Sequence, residues 1–450
     1  MTTPNPSTGA GPAPTSPVDP AGATAANPAA PAAANAAADA TPAPAVPAAA
    51  PARAPHPLRQ PEFVRLWVGA TISLTGDQFY LVALPWVVLQ LTGSGVAMGT
   101  VAMAAGIPRA VLMLLGGAIT DRTSPRRLLM ITASARTLFV AAIGALLWMH
   151  ALQLWHLYAL AFAFGTADAF ALPSAGAMLR AVVAPEQLPA ANSVWQSSAL
   201  VTSVVGPAPA GWLVKTLGAA WAFLLDAVSF LFIIGALWSL PERPRPQSAA
   251  PRPPVLASIG EGLAYVGRDA ALRSLMILAA VLNFCMSGPL SVGLAYLANH
   301  RFASPAAFGL WISSVAAGSL AGMLLAGVLK SRRRGLLLLG TSAVLGAATA
   351  SLGFLPGLWP VAALLILMGA FSGFINVQLQ AWFQQRVDRA FLGRVISVSM
   401  LSAFGLMPLS MAAAGATVEW SPKGLFLVAG AAVVLVSAFG LLQKPVREIR

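Results

Sequence analysis

Ionisable side chains are scarce in this chain. Of its 450 residues only 9% are Asp, Glu, Lys or Arg, against about 25% in an ordinary soluble domain. That is too few to cover the water-facing surface of a soluble protein of this length. Cysteine occurs once, as Cys285 inside an apolar block. This excludes an intramolecular disulfide and reads as a small core side chain. The four histidines, His56, His150, His156 and His300, are scattered through the tail and loops, so no histidine metal centre or buried histidine base is expected. The sequence has no Gly-x-x-x-x-Gly-Lys-Ser/Thr loop, which excludes ATP as the direct energy source, and no Gly-x-Ser-x-Gly elbow. A membrane-embedded enzyme is thereby disfavoured, and no cofactor or metal is expected.

Apolar residues take the place of charge. They make up 57% of the chain and come in long blocks; about 20 such residues match the hydrocarbon thickness of a bilayer. Reading the blocks against turn and charge punctuation predicts twelve transmembrane helices, near 63–91, 95–119, 127–149, 154–183, 192–216, 219–240, 274–299, 304–329, 335–355, 358–383, 395–417 and 423–443. Pro173, Pro207 and Pro209 interrupt the fourth and fifth. Residues 1–57 are different: Ala, Pro, Thr, Ser, Gly and Asn dominate, the prolines block a continuous helix, and little apolar bulk is available for folding. A disordered cytoplasmic tail is expected there. It has neither the basic start nor the unbroken apolar run of a signal peptide.

The basic residues assign sides to the helices. With the N-terminus inside, only Lys215, Arg301 and Lys423 fall on the outer loops, and Arg109 and Arg136 lie within spans; the other 22 of the 27 Lys and Arg flank the inner face. Such a bias predicts a multi-pass protein of the cell inner (plasma) membrane with both termini cytoplasmic. It also makes the net charge of +13 a matter of topology and membrane lipids, with no nucleic-acid partner expected. The longest inner connection, residues 241–273, opens Pro-Glu-Arg-Pro-Arg-Pro, a stiff linker. It continues as a short amphipathic helix with Ile259, Leu263 and Val266 on one face and Glu261, Arg268 and Asp269 off it, suited to the inner leaflet.

An internal repeat divides the spans. Shifted by 210, Ser94, Ala97, Gly99, Met113, Gly117 and Arg122 fall on Ser304, Ala307, Gly309, Met323, Gly327 and Arg332. Shifted by 204, Ala177, Val183, Leu188, Ser193 and Val194 fall on Ala381, Val387, Leu392, Ser397 and Val398. Two parallel six-helix bundles are expected, 58–240 and 274–443, followed by a tail at 444–450. That organisation suggests a transporter with its site between the halves near the midplane.

Between the second and third spans runs Gly116-Gly-Ala-Ile-Thr-Asp121-Arg122-Thr-Ser-Pro-Arg126-Arg127. Gly117 lets a helix end approach its neighbours, Asp121 suits a helix N-terminus, and Arg122, Arg126 and Arg127 suit acids or lipid phosphates. The pattern resembles the loop signature of the major facilitator superfamily, Gly-x-x-x-Asp-Arg-x-Gly-Arg-Arg, with Ser124-Pro125 where a glycine is usual. Ser73-Leu-Thr-Gly-Asp77, Leu91-Thr-Gly-Ser94, Pro185-Glu-Gln-Leu-Pro-Ala-Ala-Asn192 and Leu392-Gly-Arg394-Val resemble one branch, the bacterial exporters related to enterobactin and macrolide carriers. The resemblance covers about 58–443. It implies an all-α membrane protein of twelve helices in two pseudo-symmetric bundles, with Asp121 and its arginines as a cytoplasmic gate. Gly206-Pro207-Ala-Pro-Ala-Gly211 is similar in part to the antiporter signature of the fifth helix, or is simply a kinked, closely packed stretch. In the second half Lys330-Ser-Arg-Arg-Arg334 replaces the loop, with Ser331 where Asp121 stands, so an asymmetric gate is expected.

Charged residues within spans are costly, at least about 2.5–3.5 kcal/mol each at the bilayer centre. Asp77, Arg109, Arg136, Asp168 and Asp226 are all in the first half. At about 1.5 Å per residue, Asp77 lies about 18 Å beyond Arg65, near mid-membrane. Asp77 is the candidate proton carrier, tuned by an arginine or Asp168; the alternative is a structural ion-pair network. Asp226 reads as structural. Asn283, Asn376 and Gln380 offer a neutral polar wall from the second half. A cavity charged on one wall and neutral on the other suits an amphipathic organic molecule. The function expected is secondary active export of such molecules by a monomer exchanging protons. The alternatives are an uptake carrier or lipid translocase of the same fold, or a non-transporting membrane sensor or scaffold.

Overall fold

A computed structural model describes residues 56–242, 255–329 and 333–447; the side chains of residues 114–122, 255–259 and 389–390 lie outside the described set. The tail expected over 1–57 therefore lies outside the described residues, apart from its last two. So do residues 330–332 of the second-half loop and the side chains of Gly117, Asp121 and Arg122.

All elements of the described residues are helices. They are α1 (Pro61–Thr92), α2 (Gly95–Arg122), α3 (Pro125–Trp148), α4 (Leu154–Val182), α5 (Leu188–Val205), α6 (Pro207–Leu217), α7 (Ala219–Trp238), α8 (Val255–Arg268), α9 (Ala270–Gly288), α10 (Leu294–Phe302), α11 (Pro305–Val328), α12 (Arg334–Leu352), α13 (Leu358–Arg386), α14 (Arg389–Trp420), α15 (Pro422–Leu442) and the short α16 (Lys444–Arg447). Eleven helical segments are long and apolar enough to cross a membrane, and α5 with α6, bent by 41°, makes a twelfth. One of the eleven, Ala270–Phe302, joins α9 and α10 through a π-helical turn at Pro289–Gly293. The fourth span is unbroken despite Pro173. The fifth breaks where Pro207 supplies no N–H.

Helix ends follow local chemistry. Proline opens α1, α3, α6, α11 and α15, where its missing N–H would have had no partner. Gly93, at φ 66°, closes α1 with its N–H on the Leu89 carbonyl. Exposed Trp148, Trp155, Trp221, Trp238, Trp359 and Trp420 stand near span ends, as interfacial aromatic rings do.

The two halves meet in two equivalent crossings. In one, a Cβ on Gly99 would collide with the Met411 carbonyl of α14, and one on Gly415 with the Gly95 carbonyl of α2. In the other, a Cβ on Gly309 would collide with the Pro207 carbonyl of α6, and one on Gly211 with the Pro305 carbonyl of α11. Gly99 and Gly309 are repeat partners at offset 210, and Gly211 and Gly415 are partners at offset 204. The repeat thus preserves the residues that allow backbone-to-backbone approach. Both crossings lie at one end of the bundle, the end bearing Ser94, Pro305 and Glu419; we call the other the basic end.

At the basic end α8 docks on α14. Gly262 faces the Arg394 carbonyl, Arg394 Nε lies 2.9 Å from Glu261 Oε2, and Tyr265 stacks on Phe391 at 4.7 Å. The amphipathic face therefore divides differently from its sequence pattern: Val266 is buried but Leu263 is 53% exposed, and the side chain of Ile259 is outside the described set. Glu261, off the apolar stripe, ties the helix to the bundle. Asp269 caps α9, accepting from the Ala271 and Leu272 N–H groups at 2.9 and 3.2 Å, and it pairs with Arg386 at 2.9 Å. Partial burial pushes its carboxyl up, but these donors outweigh it and hold the group below the usual carboxylate range.

Candidate functional site

A cavity of about 490 Å³ lies between the halves. Most of its wall comes from α1, α2, α3, α4 and α7, and Asp77, Arg109, Arg136 and Asp168 all line it. They come from four different helices and form one continuous chain of ion pairs. Arg136 Nη2 lies 2.5 Å from Asp77 Oδ1, Arg136 Nη1 lies 3.6 Å from Asp168 Oδ1, and Arg109 Nε lies 3.1 Å from Asp168 Oδ2. Two acids and two arginines make the set neutral, which lowers the cost of placing charges at this depth.

The chain is graded in exposure. The Arg136 side chain is 11% exposed, Asp168 17%, Asp77 26% and Arg109 35%. Arg136 is the hub. It serves two carboxylates and lies over the faces of Phe164 and Phe230, 4.7 and 4.4 Å from their centroids, so aromatic quadrupoles replace part of its hydration. Arg109 lies 5.5 Å from the Phe404 ring centre and so reaches the opposite half. Asp77 and Arg109 are the members that a molecule in the cavity could touch most readily.

The facing wall differs from the sequence expectation. Asn283, Asn376 and Gln380 do not line this cavity. Asn283 donates to the Ala279 carbonyl of its own helix at 2.9 Å, and Asn376 and Gln380 are exposed along α13. The second half instead contributes Ser291 and Val292 from the π turn, and Phe404, Met407, Pro408 and Met411 from α14. A methionine and phenylalanine wall adapts to varied apolar shapes. Nothing in the sequence separated these side chains from lipid-facing ones, because helix rotation decides which face they occupy.

The loop and fifth-helix motifs have structural work to do. Arg126 donates from Nε to the Leu237 carbonyl at 2.7 Å and from Nη2 to the Trp238 carbonyl at 3.0 Å, a cation on the C-terminal carbonyls of α7. Arg127 pairs with Glu242 at 2.9 Å, and its hydrogen bond holds that carboxyl below the usual range. At the fifth-helix break, Gly206 admits Gln78 and Gly211 admits α11, while the Ala208 N–H donates to Ser313 Oγ of the other half at 3.0 Å.

Glu419, not singled out by any sequence pattern, joins the halves at the end opposite the basic one. Its Oε1 accepts from Ser94 Oγ at 2.5 Å and from the Val96 N–H at 3.0 Å, so an acid at the end of α14 caps the start of α2. Loss of such a cap costs about 1 kcal/mol, about a fivefold shift in a two-state equilibrium. In a Cys285→Ser background with Met98→Cys as reporter inside the cavity, Glu419→Ala should raise thiol labelling from that end about fivefold. Unchanged labelling would mean that the contact does not hold the halves together.

Comparison with known proteins accords with this architecture. Residues 52–450 match the model of the transmembrane secretion effector family, MFS_3. The multidrug efflux pump Tap of Mycobacterium tuberculosis is 27% identical over 407 residues, covering 87% of this chain and 95% of Tap. Macrolide efflux protein A of Streptococcus pyogenes is 25% identical over 367 residues, covering 78% and 87%. The crystal structure of the nucleoside transporter NupG superposes with a TM-score of 0.67 at 14% identity, covering 85% of this chain and 98% of that one. At that identity it shares the fold alone. With its helical bundle in two related halves and a charged cavity between them, the chain belongs to the transmembrane secretion effector family of the major facilitator superfamily and is a membrane transporter.

Proposed function

We propose that this protein exports amphipathic small molecules from the cytoplasm across the inner (plasma) membrane and exchanges them for protons at Asp77. The observation that carries this reading is the sharing of one cavity: the Asp77–Arg136–Asp168–Arg109 chain lines the same space as the apolar rings and methionines. A proton on Asp77 frees Arg136, and a molecule entering beside Phe404 and Arg109 meets the altered field, so proton and substrate compete through one set of charges. Apolar walls with few convergent polar groups suit an amphipath. The names of the efflux relatives support the direction.

The loop-charge bias supports cytoplasmic termini and hence a cytoplasmic basic end. On that orientation the glycine crossings and the Glu419 cap close the external side, and the conformation is inward-facing, ready to load. Residues 58–240 act as the ion-coupling bundle, 274–443 as the apolar substrate wall, and 241–273 as the linker held to the second bundle by Glu261. The protein works as a monomer among membrane lipids, with no cofactor. The test is reconstitution into liposomes with an imposed pH gradient and a panel of fluorescent amphipaths and macrolides. Concentrative movement against the proton flow is the expected result. Movement indifferent to the gradient and to an uncoupler would exclude the proton exchange.

A further inference from the structure

Behind the cavity is a buried acid that the ion-pair chain does not use. Asp226 of α7 is 0% exposed and is not among the cavity-lining residues. Its Oδ2 has no hydrogen-bond partner, and Oδ1 has only a 3.4 Å approach from Ser229 Oγ, a hydroxyl already donating to the Asp226 carbonyl at 2.7 Å. The carboxyl is pressed against α1 at Gly76, where a Cβ would stand 2.6 Å from Oδ1. Gly76 immediately precedes Asp77, so the two acids occupy the same level of the bundle. The charged or titratable groups that act on Asp226 are Asp77 and Tyr80 from α1 and Arg136 from α3. Two of these carry buried polar atoms with no partner of their own, Tyr80 Oη and Arg136 Nε. Three of the unpaired polar atoms thus come from the packed helices α1, α3 and α7, whereas nearly all other buried polar side chains among the described residues are paired.

A fully buried carboxylate with one long hydroxyl contact and no bonded cation is among the most expensive groups a protein can hold, whereas a neutral carboxylic acid there is far cheaper. The orphaned Arg136 Nε marks a second direction in which the guanidinium can bond.

We propose that Asp226 is a second proton-binding site, and that Asp77 and Asp226 share one proton, with Arg136 pairing to whichever carboxyl is ionised. In the arrangement seen here the proton is on Asp226 and Arg136 holds Asp77. When Asp77 takes a proton from the cavity, its O–H forms and its pair with Arg136 breaks. Asp226 then gives up its proton, through the Tyr80 hydroxyl to cavity water, and its carboxylate receives Arg136. One proton enters and one leaves, so the cluster carries the same charge before and after, and Arg136 keeps Asp168 as a partner while it turns. The idea deepens the proton-exchange reading and rests on it for its physiological role, but its test does not require transport.

Infrared spectra of the full-length protein in liposomes at neutral pH provide that test. The wild type should show the carbonyl stretch of a protonated carboxyl that is lost in Asp226→Asn, and lost also in Asp77→Asn, where Arg136 turns to Asp226. A band that survives Asp226→Asn, or is missing from the wild type, overturns the site. A band lost in Asp226→Asn but kept in Asp77→Asn overturns the sharing. Should Asp226→Asn not fold, Ser229→Ala keeps the acid and removes its neighbouring hydroxyl; the band should then shift in frequency, and an unmoved band overturns the assignment. If the spectra behave as expected and no amphipath is exported, the transport reading falls and the proton site stands.

Discussion

Asp77→Asn should abolish concentrative export while leaving the protein folded and its cavity accessible. A one-unit pH gradient supplies about 1.4 kcal/mol per proton, enough to sustain about a tenfold solute gradient at one proton per molecule. Wild-type liposomes should approach that value, and the asparagine variant should stop at equal concentrations on both sides. Exchange of labelled for unlabelled substrate should continue, because it needs the conformational cycle but no proton. The physical reason is local. Asn cannot gain or lose a proton, and Arg136 keeps Asp168 at 3.6 Å as a partner while its freed side turns to Asp226, so the change removes the switch without stranding the arginine. A solute gradient undiminished in Asp77→Asn would mean that another group carries the coupling.

Arg136→Ala should be the most destabilising single change in the cavity. It deletes both links of the hub and leaves Asp77 and Asp168 facing each other with Arg109 alone as counter-ion. Removing one partner of a buried pair costs about 3–5 kcal/mol, because the other charge stays behind. The two ring contacts with Phe164 and Phe230 add about 0.5–2 kcal/mol each. Thermal unfolding in detergent should show a large fall in midpoint or no recoverable protein. Arg109→Ala, which removes one pair at a side chain 35% exposed, should cost about 1 kcal/mol or less. Adding Asp77→Asn to Arg136→Ala should restore part of the loss, since it discharges one of the stranded acids. Equal melting of the two arginine variants would exclude Arg136 as the hub. Arg136→Lys should not rescue fully, because a single ammonium cannot fork to two carboxylates.

The residues differ in how legible these roles were. Asp77, Arg109, Arg136 and Asp168 stood out because a charge inside an apolar block is rare and expensive, and the same four line the cavity. Their order did not stand out: nothing in the spacing makes Arg136 rather than Arg109 the hub. Asp226, about eight residues into its span at about 1.5 Å each, looked structural, and only its unpaired oxygen draws attention to it. Asn283, Asn376 and Gln380 were reasonable polar candidates, yet α9 and α13 turn them away from the cavity and α14 offers Phe404 and Met407 instead. Glu419 was invisible because its partner, the start of α2, is 323 residues away in the chain.

Hydropathy, loop charge and self-similarity are properties of the chain alone. Transfer from water to lipid is summed residue by residue, so the spans, the two-fold repeat and the confinement of charge within spans to the first half can be read along the chain. It also carried the glycines of the two crossings, as repeat partners whose purpose was unstated. Which acid meets which arginine, which face of α14 walls the cavity and at which end the halves cross closely are settled by packing in three dimensions. Those outcomes depend on the rotation and crossing of helices that are distant in sequence. They are set by backbone approach at Gly99, Gly211, Gly309 and Gly415 and by side-chain packing, for which no one-dimensional pattern exists.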